Sequence, residues 1–215
     1  MAAKLKIHLD ECRISYLFNT KNPINEESLE EKLIQKKYKI NKDRIITRPP
    51  LQAVILNFAR KGGIDIIYEK TKLPTFIGVI GTNHTLIVRE FEGLQHILEE
   101  SDEFIVQQST GIEAVITCKI FGDVKPDNTL PHFARNEIKK FNEKFNKKFI
   151  IDNFTLVDTN TDMFTSIHLA PLHSDTRFFF MQLALKDSSL EKIFEFIENH
   201  EKYISDIIGI MGSND

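Results

Sequence analysis

Tryptophan is absent from the 215 residues, cysteine occurs only twice, and no apolar run approaches a membrane span. Each shortage excludes a class. Two cysteines, Cys12 and Cys118, separated by 106 positions, provide neither a disulfide framework nor zinc-ligand spacing, which leads us to expect a reduced, cytoplasmic setting. A spanning helix needs roughly 18–20 apolar residues in succession, and none is found, so no membrane association is expected. Asp10, Glu11 and Arg13 follow the first lysines too soon for a secretory apolar core. A net charge of −3 exerts no global pull toward nucleic acid.

What is present is the balance of a globular chain, 41% hydrophobic and 27% charged, with 17 Phe and 4 Tyr that argue for a packed interior. Charge is uneven. Residues 1–100 hold 16 basic and 13 acidic side chains, and residues 101–215 hold 12 and 18, so the first half is near +3 and the second near −6.

Apolar periodicity outlines the elements. Lys4 to Phe18 alternates as a strand, and Asn25 or a neighbour caps a helix over Glu26 to Lys37, with Leu29, Leu33 and Ile34 on one face. Arg44–Thr47, Leu51–Ala59, Ile64–Glu69, Thr75–Gly81 and Thr85–Arg89 read as strands, and short turns at Pro49-Pro50, Gly62-Gly63, Leu73-Pro74 and Thr82-Asn83 make them an antiparallel meander. A helix is expected over Phe91–Glu100. The second half repeats this order: strand Glu113–Phe121, helix Leu130–Lys147, strands Phe149–Asp158, Thr165–Pro171 and Arg177–Lys186, and a closing helix Glu191–Met211 capped by Ser188 or Ser189.

Strand, helix, several strands, helix thus occurs twice, with Cys12 and Cys118 on the two leading strands. The expected fold is α+β: two tandem units, 1–102 and 103–215, forming one antiparallel sheet covered by helices on one face. That element order resembles the repeat of TATA-binding-protein-like domains, in which two such units share a curved sheet with helices on the convex side. The resemblance is one of architecture, covers most of the chain, and carries over no DNA-contacting residue. The alternative is a single α+β domain without duplication.

Motifs that carry chemistry are scarce. No Gly-x-Ser-x-Gly elbow occurs, and both cysteines sit in strand patterns typical of small core residues. His168, His173 and Asp175 are the nearest approach to a metal set, but Pro171 intervenes and no third strong ligand is local, so no metal or other cofactor is expected. Asp158 to Asp162 lacks the glycine and terminal glutamate of a calcium loop.

Basic residues offer a handle. Lys36, Lys37, Lys39, Lys42 and Arg44 surround Tyr38, and Lys147 and Lys148 repeat the trait after the equivalent helix. Cations contact phosphates while rings stack on bases, although helix macrodipoles also favour lysines at these ends. Arg60 and Lys61 precede Gly62-Gly63 at a hairpin tip.

The expected function is therefore a binding protein, not an enzyme, whose sheet and basic helix ends meet a protein or nucleic acid. The alternative is a small-molecule sensor with an apolar cavity between sheet and C-terminal helix, lined by Phe178, Phe180 and Phe194. Monomer and homodimer are both compatible with the sequence.

Overall fold

In a computed structural model, residues 6–41, 45–47, 54–70, 72–121, 135–145, 153–158, 165–172 and 175–212 are described. The chain runs β1 (Lys6–Phe18), α1 (Glu26–Gln35), β2 (Lys39–Ile40), β3 (Ile45–Thr47), β4 (Val54–Lys61), β5 (Ile64–Glu69), β6 (Thr75–Gly81) and α2 (His84–Ser101). It continues through β7 (Gly111–Phe121), α3 (Arg135–Phe145), β8 (Phe154–Val157), β9 (Thr165–Leu172), β10 (Asp175–Asp187), α4 (Leu190–Glu198) and α5 (His200–Gly212). The fold is α+β with antiparallel strand pairing.

Two compact units divide the chain. The first comprises Glu11–Val115 and Leu185–Glu198; the second comprises Ile116–Ala184 and the chain's two ends, through Asp10 and from Asn199.

In the first unit the strand order is β2-β4-β5-β6-β1-β7-β10, with β3 on β4. Registers place Tyr16 beside Ile77, and Ile77 beside Tyr68, on one face. That face carries the core: Ile14, Tyr16, Ile66, Tyr68, Ile77 and Val79 are all buried. Helix α2 lies on it, with Phe91 stacked on Tyr16 at 4.8 Å between ring centroids. The hairpin joining β4 to β5 turns through Gly62 and Gly63 at φ +57° and +85°, values that favour glycine.

Thr85–Arg89, expected as a strand, is the first turn of α2. The run Thr85-Leu86-Ile87-Val88 is short, apolar and β-branched, and periodicity alone does not separate strand from helix at that length. Tertiary placement decides it. The Asn83 side chain accepts the Leu86 N–H at 3.0 Å, and Ile87, Phe91, Leu94 and Leu98 form one buried helical stripe. The closing helix is also two elements, broken at Asn199. In sequence, His200, Ile204 and Ile208 follow Ile193 and Ile197 at helical spacing, so the periodicity conceals the break.

In the second unit the order is β1-β7-β10-β9-β8. Ile116, Cys118, Leu169, Phe179, Met181 and Leu183 are among its buried strand positions, and Ile204 and Ile208 are buried on α5. Phe179 is buried while Phe178 and Phe180, on the opposite side of the pleat, are only partly so. No helix among the described residues is long and apolar enough to cross a membrane.

Candidate functional site

Asn25 starts α1 by accepting the N–H groups of Glu27 and Ser28 at 3.1 and 3.2 Å, and the helix carries its lysines toward the C-terminal end. There Lys36 pairs with Glu100 of α2 at 3.4 Å, and Lys32 reaches the same carboxylate at 3.9 Å. Lys37 closes the helix in the left-handed region at φ +67°, its N–H donating to the Ile34 carbonyl. Lys39 opens β2 and is exposed. Lys42, Arg44, Lys147 and Lys148 lie outside the described residues.

At the β4–β5 hairpin, Arg60 pairs with Asp65 at 3.0 Å. Lys61 sits over the Tyr38 ring at 4.8 Å and 3.8 Å from Glu90, which also bonds the Tyr38 hydroxyl and Arg89. Burial alone would push the Glu90 carboxyl up, but the Tyr38 hydroxyl, Arg89 and Lys61 hold it below the usual carboxylate range. Burial, and then the bond to Glu90, push the Tyr38 hydroxyl well above its ordinary value. The structure therefore brings Tyr38 and Lys61 together around one glutamate. Much of the basic charge in this region is neutralised within the protein.

Around His168, the ring Nδ1 lies 2.8 Å from the Thr155 hydroxyl across the β8–β9 pair, and Phe180 meets the ring edge-on at 6.4 Å. Asp175 is the first residue of β10, and His173 lies outside the described residues. No three His, Cys, Asp or Glu side chains are grouped to hold a metal among the described residues. Phe178 packs on Phe121 at 4.7 Å, and Phe194 is half-buried on α4. Both thiols are fully buried. Desolvation pushes Cys12 and Cys118 up to about 12, far from the range of a working nucleophile.

A feature the sequence reading missed lies inside the first unit. The turns from 102 to 110 link α2 to β7, anchored where the Thr110 N–H and hydroxyl both donate to the Leu17 carbonyl, at 2.7 and 3.3 Å. These turns, the start of β7 and the entry to α4 border a partly open pocket of about 320 Å³. Ser109, Thr110 and Ser188 are the small hydroxyl-bearing residues of its lining, Val106, Ile112 and Leu190 the aliphatic ones, and Tyr16 borders it as well. Gly111 completes the lining at φ +144°, and a Cβ there would meet the Lys186 side chain at 3.2 Å.

Tyr16 is the unusual member. It is 1% exposed, its ring is held by Phe91, and its hydroxyl has no hydrogen-bond partner among the described residues. A buried hydroxyl without a partner forfeits its hydration with no return, so such groups are few and call for an explanation. Burial, with the Glu99 carboxylate nearby, pushes this hydroxyl well above its ordinary value, so it stays a donor at neutral pH. On the other face of the same sheet, Ser15 Oγ and the Asn57 amide are also buried without partners. They stand in one register row, from Ser15 through Gly78 and Ile67 to Asn57. Neither borders the cavity.

The sequence matches no protein-family model and no curated protein.

Proposed function

We propose that this protein binds a small molecule in the cavity of its first unit and acts as a sensor or carrier, not as a catalyst. One observation carries the reading: a pocket of about 320 Å³ lined by the hydroxyl-bearing Ser109, Thr110 and Ser188 together with the apolar Val106, Ile112 and Leu190. That volume falls at the small end of ligand sites, and mixed apolar walls with a few convergent polar groups are their usual chemistry. The cavity is bordered by Leu190 at the start of α4, and its lining is more polar than the phenylalanine-rich space expected from sequence.

Thermal shift of the purified chain against a metabolite library tests this, because a ligand that binds only the folded state must raise the melting temperature. A stabilising compound should lose its effect in Ser109→Leu, which crowds the cavity from a half-buried position. A silent library, or hits that Ser109→Leu leaves untouched, would overturn the reading.

A second reading, contact with a protein or nucleic acid through the basic helix end, is favoured by Lys37. A lysine holds a left-handed position where glycine would be relaxed, and residues kept in such conformations cluster at functional sites. With Lys39 it forms the part of the basic region for which no ion pair is described. Fluorescence anisotropy with labelled duplex and single-stranded DNA at two salt concentrations separates the readings. Salt-sensitive binding that Lys37→Gly and Lys39→Ala weaken would favour phosphate contact, and no binding at low salt would remove it.

The tandem, TATA-binding-protein-like architecture belongs to the same proposal. Its support is the element order: strand, helix, strands, helix from β1 to α2, and again from β7 to α4. The proposed halves, 1–102 and 103–215, do not coincide with the compact units, each of which draws residues from both. A cytoplasmic setting suits the two buried thiols.

A further inference from the structure

We propose that the open edge of the first unit's sheet, at β2, accepts an extended acidic peptide segment that places a carboxylate opposite Lys39. This rests on the second reading above and assigns its partner to the protein class.

The charges decide the sign. Lys39 stands directly opposite Arg60 across β2 and β4, and Arg60 directly opposite Asp65 across β4 and β5. Directly paired residues share one face of a sheet, so the three side chains form a row. Asp65 lies 3.0 Å from Arg60 Nε and flanks it on the side away from Lys39. Lys39 is exposed, stands beside a like charge, and has no ion pair among the described residues. Like charges directly opposite destabilise a sheet, so the free protein carries a cost that an anion on the outer side of Lys39 would remove. Lys37, two residues earlier, adds a second cost through its left-handed backbone.

The strand edge decides the shape. β2 ends the strand order of its sheet, and among the described residues no strand lies on its outer side. The Asn41 N–H donates to the Phe58 carbonyl at 2.9 Å, so the backbone groups of Asn41 and Lys39 face β4. Ile40, between them, turns its N–H and C=O outward, where they fit the backbone of an added strand. A residue next to the one bonded to Ile40 then falls opposite Lys39, on the same face. Glu or Asp there completes a row in which each cation is flanked by one carboxylate.

Nucleic acid fits this place less well. Tight duplex binding draws on the order of six to ten phosphate contacts. Here Lys36 is neutralised by Glu100 and Arg60 by Asp65, and Lys61 and Arg89 share Glu90. Bases find no stacking platform at Tyr38, whose ring is buried beneath Lys61.

Three peptides test the class: alternating Glu and Thr, alternating Lys and Thr, and alternating Glu and Pro. The last keeps the charge but lacks the N–H that the Ile40 carbonyl would accept. Each is titrated into the ¹⁵N-labelled full chain, and the amide signals of Lys39, Ile40, Asn41 and Arg60 are followed. The Glu-Thr peptide should shift these signals, and the other two should bind at least about fivefold more weakly. Lys39→Glu should weaken the Glu-Thr peptide by about fivefold or more, yet raise the urea midpoint of the free protein by pairing with Arg60. Lys202→Glu, at an exposed position of α5, changes the net charge equally and should leave the affinity unchanged. Equal binding of the Glu-Pro or Lys-Thr peptide, equal losses in the two variants, or a lower urea midpoint in Lys39→Glu would overturn the proposal. If the peptides leave the signals unmoved while labelled duplex DNA binds in a salt-sensitive, Lys39-dependent way, the second reading stands as phosphate contact and only this inference fails. If neither binds, both fail.

Discussion

At the scale of single residues, the thiols and the glycines carry the sharpest consequences. Cys12 and Cys118 are fully buried, and desolvation raises each from 9.0 to about 12. The thiolate is the reactive form, so at pH about 8 only about one thiol in ten thousand is ionised. Native protein should therefore resist iodoacetamide over the time in which urea-unfolded protein is fully labelled; equal labelling rates would contradict the burial. Gly78 makes a different demand. A Cβ at that position would lie 2.1 Å from the Ile14 carbonyl oxygen and 2.4 Å from Ser15 Oγ, and the first is backbone that cannot swing away. Gly78→Ala should cost about 3 kcal/mol in urea denaturation. A cost within about 0.5 kcal/mol would mean that β1 and β6 do not approach as described.

At the scale of elements, α1 shows how a helix end can be built against local preference. Asn25 caps its start by the usual side-chain bonds, yet its exit turns on Lys37 at φ +67°, a conformation in which helix ends usually place glycine. The left-handed region costs a residue with a Cβ about 1–2 kcal/mol. Lys37→Gly should therefore raise stability by about 1 kcal/mol, read as a higher urea midpoint with unchanged slope. A loss of stability would mean that the lysine side chain contributes more than its backbone strain removes. Helix α2 teaches the opposite lesson. Its first turn has strand-forming residues, and its identity comes from Asn83 and from packing of Ile87 and Phe91 on the sheet.

At the scale of the whole molecule, buried protons tie stability to alkaline pH. The two thiols move from 9.0 to about 12, and burial raises the Tyr68 hydroxyl from 10.0 to about 12. In each case the folded chain keeps a proton that the unfolded chain releases. Their contribution is fully present below the unfolded value and is lost as pH climbs through the folded one. The urea midpoint should fall steadily from about pH 9 toward pH 12, and Cys118→Ala should reduce that fall. A midpoint flat across this range would contradict the burial of these groups.

Much of this was legible in the sequence. Alternation and turn residues delimited Ile64–Glu69 and Thr75–Gly81 as observed, Gly62-Gly63 marked the hairpin, and Asn25 marked the start of α1, because strand period, turn chemistry and capping act over a few neighbouring residues. The absence of long apolar runs and of paired cysteines was equally local information. What tertiary structure alone decided is where distant residues meet. Thr85–Arg89 became helix because the sheet offered Tyr16 to Phe91, and Lys61 joined Tyr38 and Glu90 because a hairpin folds back on α2. The cavity gathers Tyr16, Ser109 and Ser188 from three separated stretches, none of which carries a motif. Its lining is brought together only by folding, and proximity is a property of space, which one-dimensional spacing does not encode.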